Sequence, residues 1–269
     1  MRAHQRVASR NARFQQWQTL LTNRQKRQRA GRFLVQGVRP ITLATEQGWQ
    51  IEELLVDADR RLSNWAQELL RDTYAEVIAL PTDLLTELGE KDQEAAPELL
   101  AVVTMPPDDL TRIPITETFL GLAFDRPTQP GNIGTLIRSA DAFGASGLVV
   151  TGHAADVYDP RTVRASTGSL FGTPTVRAQS HRDVLEWLAG TGVAIVGTDE
   201  EGDTDIEDYD FTAPTLIIVG NETVGMSAGW REACDRVLHI PMRGTASSLN
   251  AANAGTVVLY EAARQRRRK

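Results

Sequence analysis

The chain has 269 residues, 41% of them hydrophobic and 24% charged, with a net charge of −6, a composition typical of a globular protein with a buried core. It contains no apolar run of the roughly 18 residues that a membrane-spanning helix needs, and no signal-peptide pattern opens it. Its single cysteine, Cys234, excludes an internal disulfide, and its four histidines are too scattered to form a metal site with it, so we expect a cytoplasmic protein without a bound metal.

The positive charges are concentrated at the two ends of the chain. Residues 1–39 contain ten Lys and Arg residues and no acid, and residues 264–269 contain five more. Arginine dominates the first segment, which suits bidentate contacts to phosphates. The pattern predicts a polyanion-binding arm on an acidic body, although a solvated helical surface or an organellar transit peptide has a similar composition.

The first part of the chain alternates between helical and extended patterns. Residues 11–28 carry apolar side chains at helical spacing, and Pro40 and Gly48 mark the start and end of a second helix. Strands are predicted at residues 31–37, 51–57, 74–80 and 98–105. This alternation predicts a small α/β domain over residues 1–105, followed by a proline-rich linker at 106–115.

The alternation is clearer from residue 116 to residue 269. Short, mostly β-branched strands are predicted at residues 118–124, 147–150, 193–198, 215–220 and 236–242. Helices are predicted at residues 131–144, 181–190, 227–235 and 248–265. Residues 164–174 and 199–210 are predicted as loops. Such apolar strands are typical of a buried parallel sheet, which makes this part a second α/β domain.

Polar, glycine-containing loops follow three of these strands, at the edge where open α/β sheets bind ligands. The first contains PGNIGTLIR, in which Asn132 is the predicted N-cap of a helix that carries Arg138. The second is GNETVGMS, residues 220–227, and the third is IPMRGTASSLN, residues 240–250. A helix of small residues follows the third loop. Each loop alone is also consistent with an ordinary strand–turn–helix connection.

Taken in this order, the three motifs resemble those of the SpoU/TrmH branch of the SPOUT RNA methyltransferases. The resemblance covers residues 116–265, and the N-terminal part looks, more loosely, like the RNA substrate-binding domain of many members. It implies a parallel sheet tied in a C-terminal trefoil knot, beside a smaller α/β domain similar to RNA-binding ribosomal proteins. It also implies S-adenosyl-L-methionine as methyl donor, a ribose 2′-oxygen as acceptor, and a homodimer formed through the knotted domain.

The resemblance also implies roles for particular residues. It assigns cofactor binding to seven residues: Thr198, Val219, Gly220, Ile240, Met242, Ser248 and Leu249. Arg138 matches the family's essential arginine. Because a guanidinium stays protonated to about pH 12, we expect Arg138 to orient a phosphate and stabilise the developing alkoxide rather than to act as a base.

Further residues are expected to support this chemistry or to bind RNA. Asn132, Ser248 and Asn250 would position the ribose hydroxyl and Arg138, and Glu222 would organise the loops. The RNA contacts are expected at Arg10, Arg29, Arg39 and Arg164. The chain departs from many relatives at Thr223, where glycine is common, and at Ala251-Ala252, where Val-Ser is common.

The two-domain layout is similar to members that methylate 23S ribosomal RNA, including members that confer antibiotic resistance. A transfer-RNA 2′-O-methyltransferase and a non-catalytic RNA-binding protein of ribosome assembly are the alternatives. An NAD-dependent oxidoreductase on a similar sheet is disfavoured, because the chain lacks the G-x-G-x-x-G fingerprint.

Overall fold

The computed structural model describes residues 5–89, 96–246 and 248–267. These residues form two compact units. The first unit contains the described residues up to Pro106 together with Tyr158–Phe171, and the second contains Pro107–Val157 and the described residues from Gly172 onward. The domain boundaries at residues 105 and 116 stay a prediction. No helix in the described ranges is long and apolar enough to cross a membrane.

Strands and helices alternate along the chain. The strands are β1 (Gln5–Arg6), β2 (Arg32–Gln36), β3 (Ile51–Asp57), β4 (Glu76–Leu80), β5 (Leu99–Thr104), β6 (Leu120–Asp125), β7 (Gly147–Thr151), β8 (Thr175–Ala178), β9 (Ala194–Thr198), β10 (Thr204–Asp205), β11 (Thr215–Val219) and β12 (Arg236–His239). The helices are α1 (Ala12–Thr22), α2 (Arg24–Ala30), α3 (Val38–Glu46), α4 (Asn64–Arg71), α5 (Thr82–Leu88), α6 (Pro130–Ala142), α7 (Pro160–Ser166), α8 (Ser169–Gly172), α9 (His181–Leu188), α10 (Ala228–Ala233) and α11 (Ala251–Arg266).

The first unit is built on a mixed sheet whose described strands lie in the order β1-β4-β3-β5-β2. Strand β5 runs antiparallel to both β2 and β3, whereas β3 and β4 are parallel. The four strands predicted here are confirmed as β2 to β5, and the two-residue strand β1 was not predicted. Helix α1 buries Phe14, Trp17 and Leu20 in the same apolar cluster as Leu55 and Ile78 of the sheet, which explains its helical spacing of apolar residues.

The helix predicted over residues 11–28 is in fact two helices, because Asn23 interrupts it. Asn23 has an extended backbone, and its side chain caps α2 by accepting a hydrogen bond from the Lys26 N–H at 3.0 Å. Arg27 then points inward with 2% of its surface exposed. It donates to the Leu20 carbonyl oxygen and lies 3.9 Å from a carboxylate oxygen of Asp159.

From Gln5 onward, where the structure describes it, the basic N-terminal segment is a folded surface of the first unit rather than a separate arm. Residues 1–4 and 268–269, which carry the rest of the terminal charge, lie outside the described residues. Several of its cations form ion pairs with acids of the same unit: Arg10 with Glu87, Arg13 with Glu53 and Glu76, and Arg32 with Glu52. The net positive charge of this surface is therefore smaller than the sequence count. Arg29 and Arg39 are exposed.

Residues 164–174, which were predicted as a loop, are mostly helical in α7 and α8. Thr167 and Gly168 adopt positive φ angles of 48° and 97° between the two helices. Phe171 packs its ring 5.1 Å from that of Trp49, and the Trp49 indole N–H donates to the Phe171 carbonyl oxygen at 3.0 Å. Tertiary packing of this kind overrides the weak helix propensity of a Ser-, Thr- and Gly-rich segment.

The second unit is built on a sheet whose described strands lie in the order β10-β12-β9-β11-β6-β7-β8. Each of its strand pairs is parallel. The predicted α/β class and parallel sheet are therefore confirmed. Strands β8 and β10 were not predicted, because the first is short and carries Arg177 and the second lies in an acidic stretch.

Helix α11 follows the near-edge strand β12 but packs against α6 and β11, in the middle of the sheet. Gly255 allows this close approach, because a Cβ atom there would lie 2.7 Å from Leu136 Cδ1 and 3.0 Å from Val219 Cγ2. The Ser139 and Thr256 hydroxyl groups share a 2.7 Å hydrogen bond across the same contact. This return toward the middle of the sheet is compatible with the predicted trefoil knot.

Arg266 fastens the last turn of α11 to the second unit. Its guanidinium donates to four backbone carbonyl oxygens, at distances of 2.5 to 3.0 Å: those of Thr118, Phe119, Phe211 and Ala213. These carbonyls precede β6 and β11 in the chain. Arg266 thus has a structural role, although the sequence placed it in a basic tail.

We predict that Arg266→Ala lowers the free energy of unfolding by about 2–4 kcal/mol, because several hydrogen bonds to a charged group are lost together. Urea denaturation followed by circular dichroism measures this loss. Arg264→Ala is the matched control, since Arg264 lies one half-turn away and pairs with Glu261 of its own helix. Equal destabilisation by the two substitutions would contradict the proposed role of Arg266.

Candidate active site

The carboxyl ends of β9, β11 and β12 surround a cavity of about 370 Å³, a volume typical of small-molecule sites. Its wall is formed by the residues that follow each of these strands and by the first turn of α11. All seven residues predicted to bind a cofactor line this cavity: Thr198, Val219, Gly220, Ile240, Met242, Ser248 and Leu249. The second and third polar loops of the sequence therefore meet at one place.

Apolar side chains are exposed around the cavity. Val224, Met242 and Leu249 line it and are 66%, 39% and 39% exposed, respectively. These three belong to the few large apolar side chains that the described chain exposes strongly. Exposed apolar side chains gathered at a concave site are typical of a ligand-binding surface.

Glu222, in the second loop, joins that loop to the start of α6. One carboxylate oxygen accepts hydrogen bonds from the Thr128 N–H and hydroxyl at 3.0 and 3.1 Å. The other oxygen accepts from the Gln129 N–H at 3.2 Å and from the Asn132 amide at 3.0 Å. The negative charge also lies at the positive end of the α6 dipole, where it is stabilised.

These donors decide the ionisation of Glu222. Burial alone would raise the pKa of its carboxyl group, but the hydrogen bonds from Thr128, Asn132 and Gln129 together hold that pKa below its ordinary value. The group is therefore ionised at neutral pH and can only accept hydrogen bonds.

The Glu222 carboxylate fixes the orientation of two amides beyond it. Because Asn132 donates its Nδ2 to Glu222, its Oδ1 faces away and accepts from Asn250 Nδ2 at 3.1 Å. Asn250 then presents its own Oδ1 to the N–H groups of Ala252 and Asn253, at 3.0 and 3.3 Å, and so caps α11. We call the chain Glu222–Asn132–Asn250 the amide relay. It connects all three loops.

Two predicted helix starts differ from the structure. Asn132 is not the N-cap of α6, which begins at Pro130 after Gln129, because proline occupies the first helical position and Asn132 is already in the first turn. The helix predicted over residues 248–265 begins at Ala251, and its N-cap is Asn250. Both asparagines are used in the amide relay.

Asp125 and Arg126 at the end of β6 are site residues that the sequence analysis missed. Asp125 is buried and accepts from the Arg126 guanidinium at 3.0 and 3.1 Å and from the Ser227 N–H at 2.8 Å. Arg126 has a left-handed φ of 52°, and its carbonyl oxygen accepts from Asn221 Nδ2 at 2.6 Å. These contacts hold both ends of the second loop.

The remaining predicted residues are not among those that line the cavity. Arg138 is on the exposed face of α6, does not line the cavity, and forms no hydrogen bond or ion pair within the described ranges. The four predicted RNA-binding residues belong to the first unit and are exposed at their side chains: Arg10, Arg29, Arg39 and Arg164.

In comparisons with known proteins, each of the two units matches a known domain family. Residues 120–260 match the SpoU rRNA Methylase family, and residues 11–101 match the SpoU L30e-like domain. The 23S rRNA (uridine(2479)-2′-O)-methyltransferase of Streptomyces viridochromogenes is 63% identical over 269 residues, which is 98% of this chain and 93% of that protein.

Two solved structures are similar over almost the whole chain. The SpoU methyltransferase AviRb from Streptomyces viridochromogenes, in complex with AdoMet, has a TM-score of 0.92 at 63% identity and covers 96% of this chain and 98% of its own. The AdoMet-bound rRNA methyltransferase from Sinorhizobium meliloti has a TM-score of 0.86 at 28% identity, covering 96% and 97%.

We predict that Glu222→Gln lowers the free energy of unfolding by about 1 kcal/mol at pH 7, because an amide cannot accept at both of its polar atoms. The folded-state pKa of Glu222 is depressed, so its contribution is complete above the unfolded pKa of about 4.3 and is lost as pH falls through the folded pKa. The difference between wild type and variant should therefore shrink below pH 4.

Urea denaturation at pH 7 and pH 3 measures this difference. Glu200→Gln is the control, since Glu200 also lines the cavity but has no hydrogen-bond or ion-pair partner among the described residues. A difference between wild type and Glu222→Gln that stays constant down to pH 3 would show that the carboxylate charge is not what joins the loops.

Proposed function

Since the chain belongs to the SpoU rRNA methylase family, we propose that it transfers a methyl group from S-adenosyl-L-methionine to a ribose 2′-oxygen of 23S ribosomal RNA. The observation that carries this proposal is the convergence of seven predicted residues, from the ends of β9 and β11 and from the second and third loops, on one cavity. The 63% identical relative, which covers nearly the whole chain, supports the ribosomal substrate. Because the proposed substrate is ribosomal RNA, we propose that the protein acts in the cytoplasm.

The cavity fits the adenosyl part of such a donor. Its backbone-rich loops, with Gly220, Ile240 and Leu249, offer N–H and C=O groups that can read the edge of a nucleobase. The exposed side chains of Val224 and Met242 offer apolar contact to the base face. When bound, S-adenosyl-L-methionine supplies a sulfonium-activated methyl group.

The residues of the chain would then align and activate the ribose hydroxyl. The amide relay fixes the relative positions of the three loops. Ser248 lines the cavity, and its exposed hydroxyl group can bind the ribose. Arg138, free of partners among the described residues, would bind a phosphate beside the target ribose and stabilise the developing alkoxide. Alignment contributes to such catalysis, since it replaces a bimolecular encounter.

We assign RNA binding to the first unit. Arg29, Arg39 and Arg164 are exposed there, and Arg10 keeps 58% of its side chain exposed while it pairs with Glu87. Arginines on a folded surface suit a structured RNA that is recognised by shape and phosphates. Protection of the ribosome from an antibiotic is the biological role that we propose for the methylation.

We also propose that the protein is a homodimer formed through the second unit. The outer face of α6 and α11 exposes Arg138, Asn253 and Tyr260, and the Tyr260 ring, 50% exposed, lies 5.9 Å from that of Phe143. An exposed tyrosine that packs on a half-buried phenylalanine is typical of a protein interface. Arg138 would then lie at the interface, close to its partner subunit.

We predict that Arg138→Lys lowers methyl transfer at least about 100-fold, because lysine keeps the charge but loses the planar fork that binds phosphate. The measurement is transfer of labelled methyl groups to a 23S ribosomal RNA transcript, with mapping of 2′-O-methylation. Binding of S-adenosyl-L-methionine, measured by calorimetry, should be unchanged, because Arg138 does not line the cavity.

Arg182→Lys is the matched control, since Arg182 is an exposed arginine on another helix of the same unit. Transfer RNA in the same assay tests the alternative substrate. A wild-type rate for Arg138→Lys would rule out both roles of Arg138, and methylation of transfer RNA alone would replace the ribosomal substrate.

We predict that Tyr260→Glu converts the dimer to a monomer of about 29.6 kDa in size-exclusion light scattering, because a charge is placed in the proposed interface. Tyr74→Glu is the control, since Tyr74 is fully exposed in the first unit, and that variant should stay dimeric. A wild-type protein that runs as a monomer at micromolar concentration would disprove the dimer.

A further inference from the structure

Three carboxylates line the cavity, and two of them are already committed to partners. Glu222 accepts from the start of α6, as described above. Asp199 forms an ion pair with Arg231, and it also accepts from the Glu201 N–H at 3.1 Å. Both negative charges are therefore balanced locally by donors of the protein.

Glu200 is the third carboxylate, and it differs from the other two. It is exposed at the cavity and forms no hydrogen bond or ion pair with any residue in the described ranges. The described residues that line the cavity include no Lys, Arg or His. The Glu200 charge is thus uncompensated by the cavity wall. Apolar walls such as Val224, Met242 and Leu249 strengthen the field of such a charge at the ligand.

We propose that Glu200 makes the cavity select the cationic methyl donor over its uncharged-sulfur product, an inference that rests on the proposed function. S-adenosyl-L-methionine carries a sulfonium charge that S-adenosylhomocysteine lacks. In the reaction the carbon–sulfur bond breaks with its electron pair left on sulfur, a carbon–oxygen bond forms, and the hydroxyl proton leaves to solvent. The attraction to Glu200 is lost with the sulfonium charge, which favours release of the product.

The experiment compares the dissociation constants of both compounds for wild type, Glu200→Gln and Glu201→Gln by calorimetry. Glutamine keeps the size of the side chain and removes its charge. Glu201→Gln is the matched control, because Glu201 is the next residue in the same exposed loop but does not line the cavity. The donor analogue with an ammonium group in place of the S-methyl group tests whether charge, rather than the methyl group, is recognised.

For wild type, the ratio of the product's dissociation constant to the donor's measures the preference. We expect Glu200→Gln to lower this ratio by about three- to tenfold, as one partly screened charge at ligand distance would, and to weaken the ammonium analogue in parallel. Glu201→Gln should change the ratio by less than about twofold, and higher salt should reduce the effect of Glu200.

An unchanged ratio in Glu200→Gln, or an equal fall in both variants, would overturn the role of Glu200 while leaving the methyltransferase intact. Loss of affinity for donor and product by the same factor would likewise overturn it, since a purely structural defect gives that result. Failure of wild type to bind either compound would instead overturn the proposed function, and the inference with it.

Discussion

The three loops at the cavity depend on one carboxylate that can only accept hydrogen bonds. Glu222 receives the N-terminal donors of α6, and this forces the Asn132 amide to point its nitrogen toward it and its oxygen toward Asn250. Asn250 in turn has only its oxygen left to cap α11. A single charge thus determines two amide orientations and one helix start. The three motifs, 94 and 118 residues apart along the chain at these contacts, are fixed as one unit.

The order of strands makes this arrangement possible. Strand β11 lies between β9 and β6 in a parallel sheet, so loops from distant segments leave the sheet at the same edge. Asp125 stands at the end of β6 and holds Ser227 of the neighbouring loop through its backbone N–H. The strained Arg126 conformation is held by two hydrogen bonds to the second loop. Its carbonyl oxygen accepts from the Asn221 amide, and its guanidinium donates to the Gly225 carbonyl oxygen.

The sequence predicted the secondary-structure elements and the convergence of the loops better than it predicted the individual hydrogen-bond partners. Strand patterns and the order of the motifs depend on local composition and periodicity, which a sequence displays. The break at Asn23 and the start of α6 at Pro130 depend on which residue takes the capping position of each helix. Asn, Gln and Pro compete locally for these positions, so the composition alone does not decide where a helix begins. Asp125 and Arg126 were missed because an acid–base pair in sequence is indistinguishable from a solvated turn. The acid is identified as buried only when β7 and β11 lie beside it.

The second and third loops contribute differently to the cavity. Asn221 holds the second loop from within, because its Oδ1 accepts from the Thr223 and Val224 N–H groups and its backbone pairs with Gly225. The described residues between Ile240 and Leu249 form no backbone hydrogen bonds of this kind, so that loop is held at its ends by β12 and by the Asn250 cap. Burial of its exposed Met242 and Leu249 side chains against a ligand would supply the apolar contact that the loop lacks. The amide relay, by fixing Asn250, therefore limits the entropy that ligand binding must remove from the third loop.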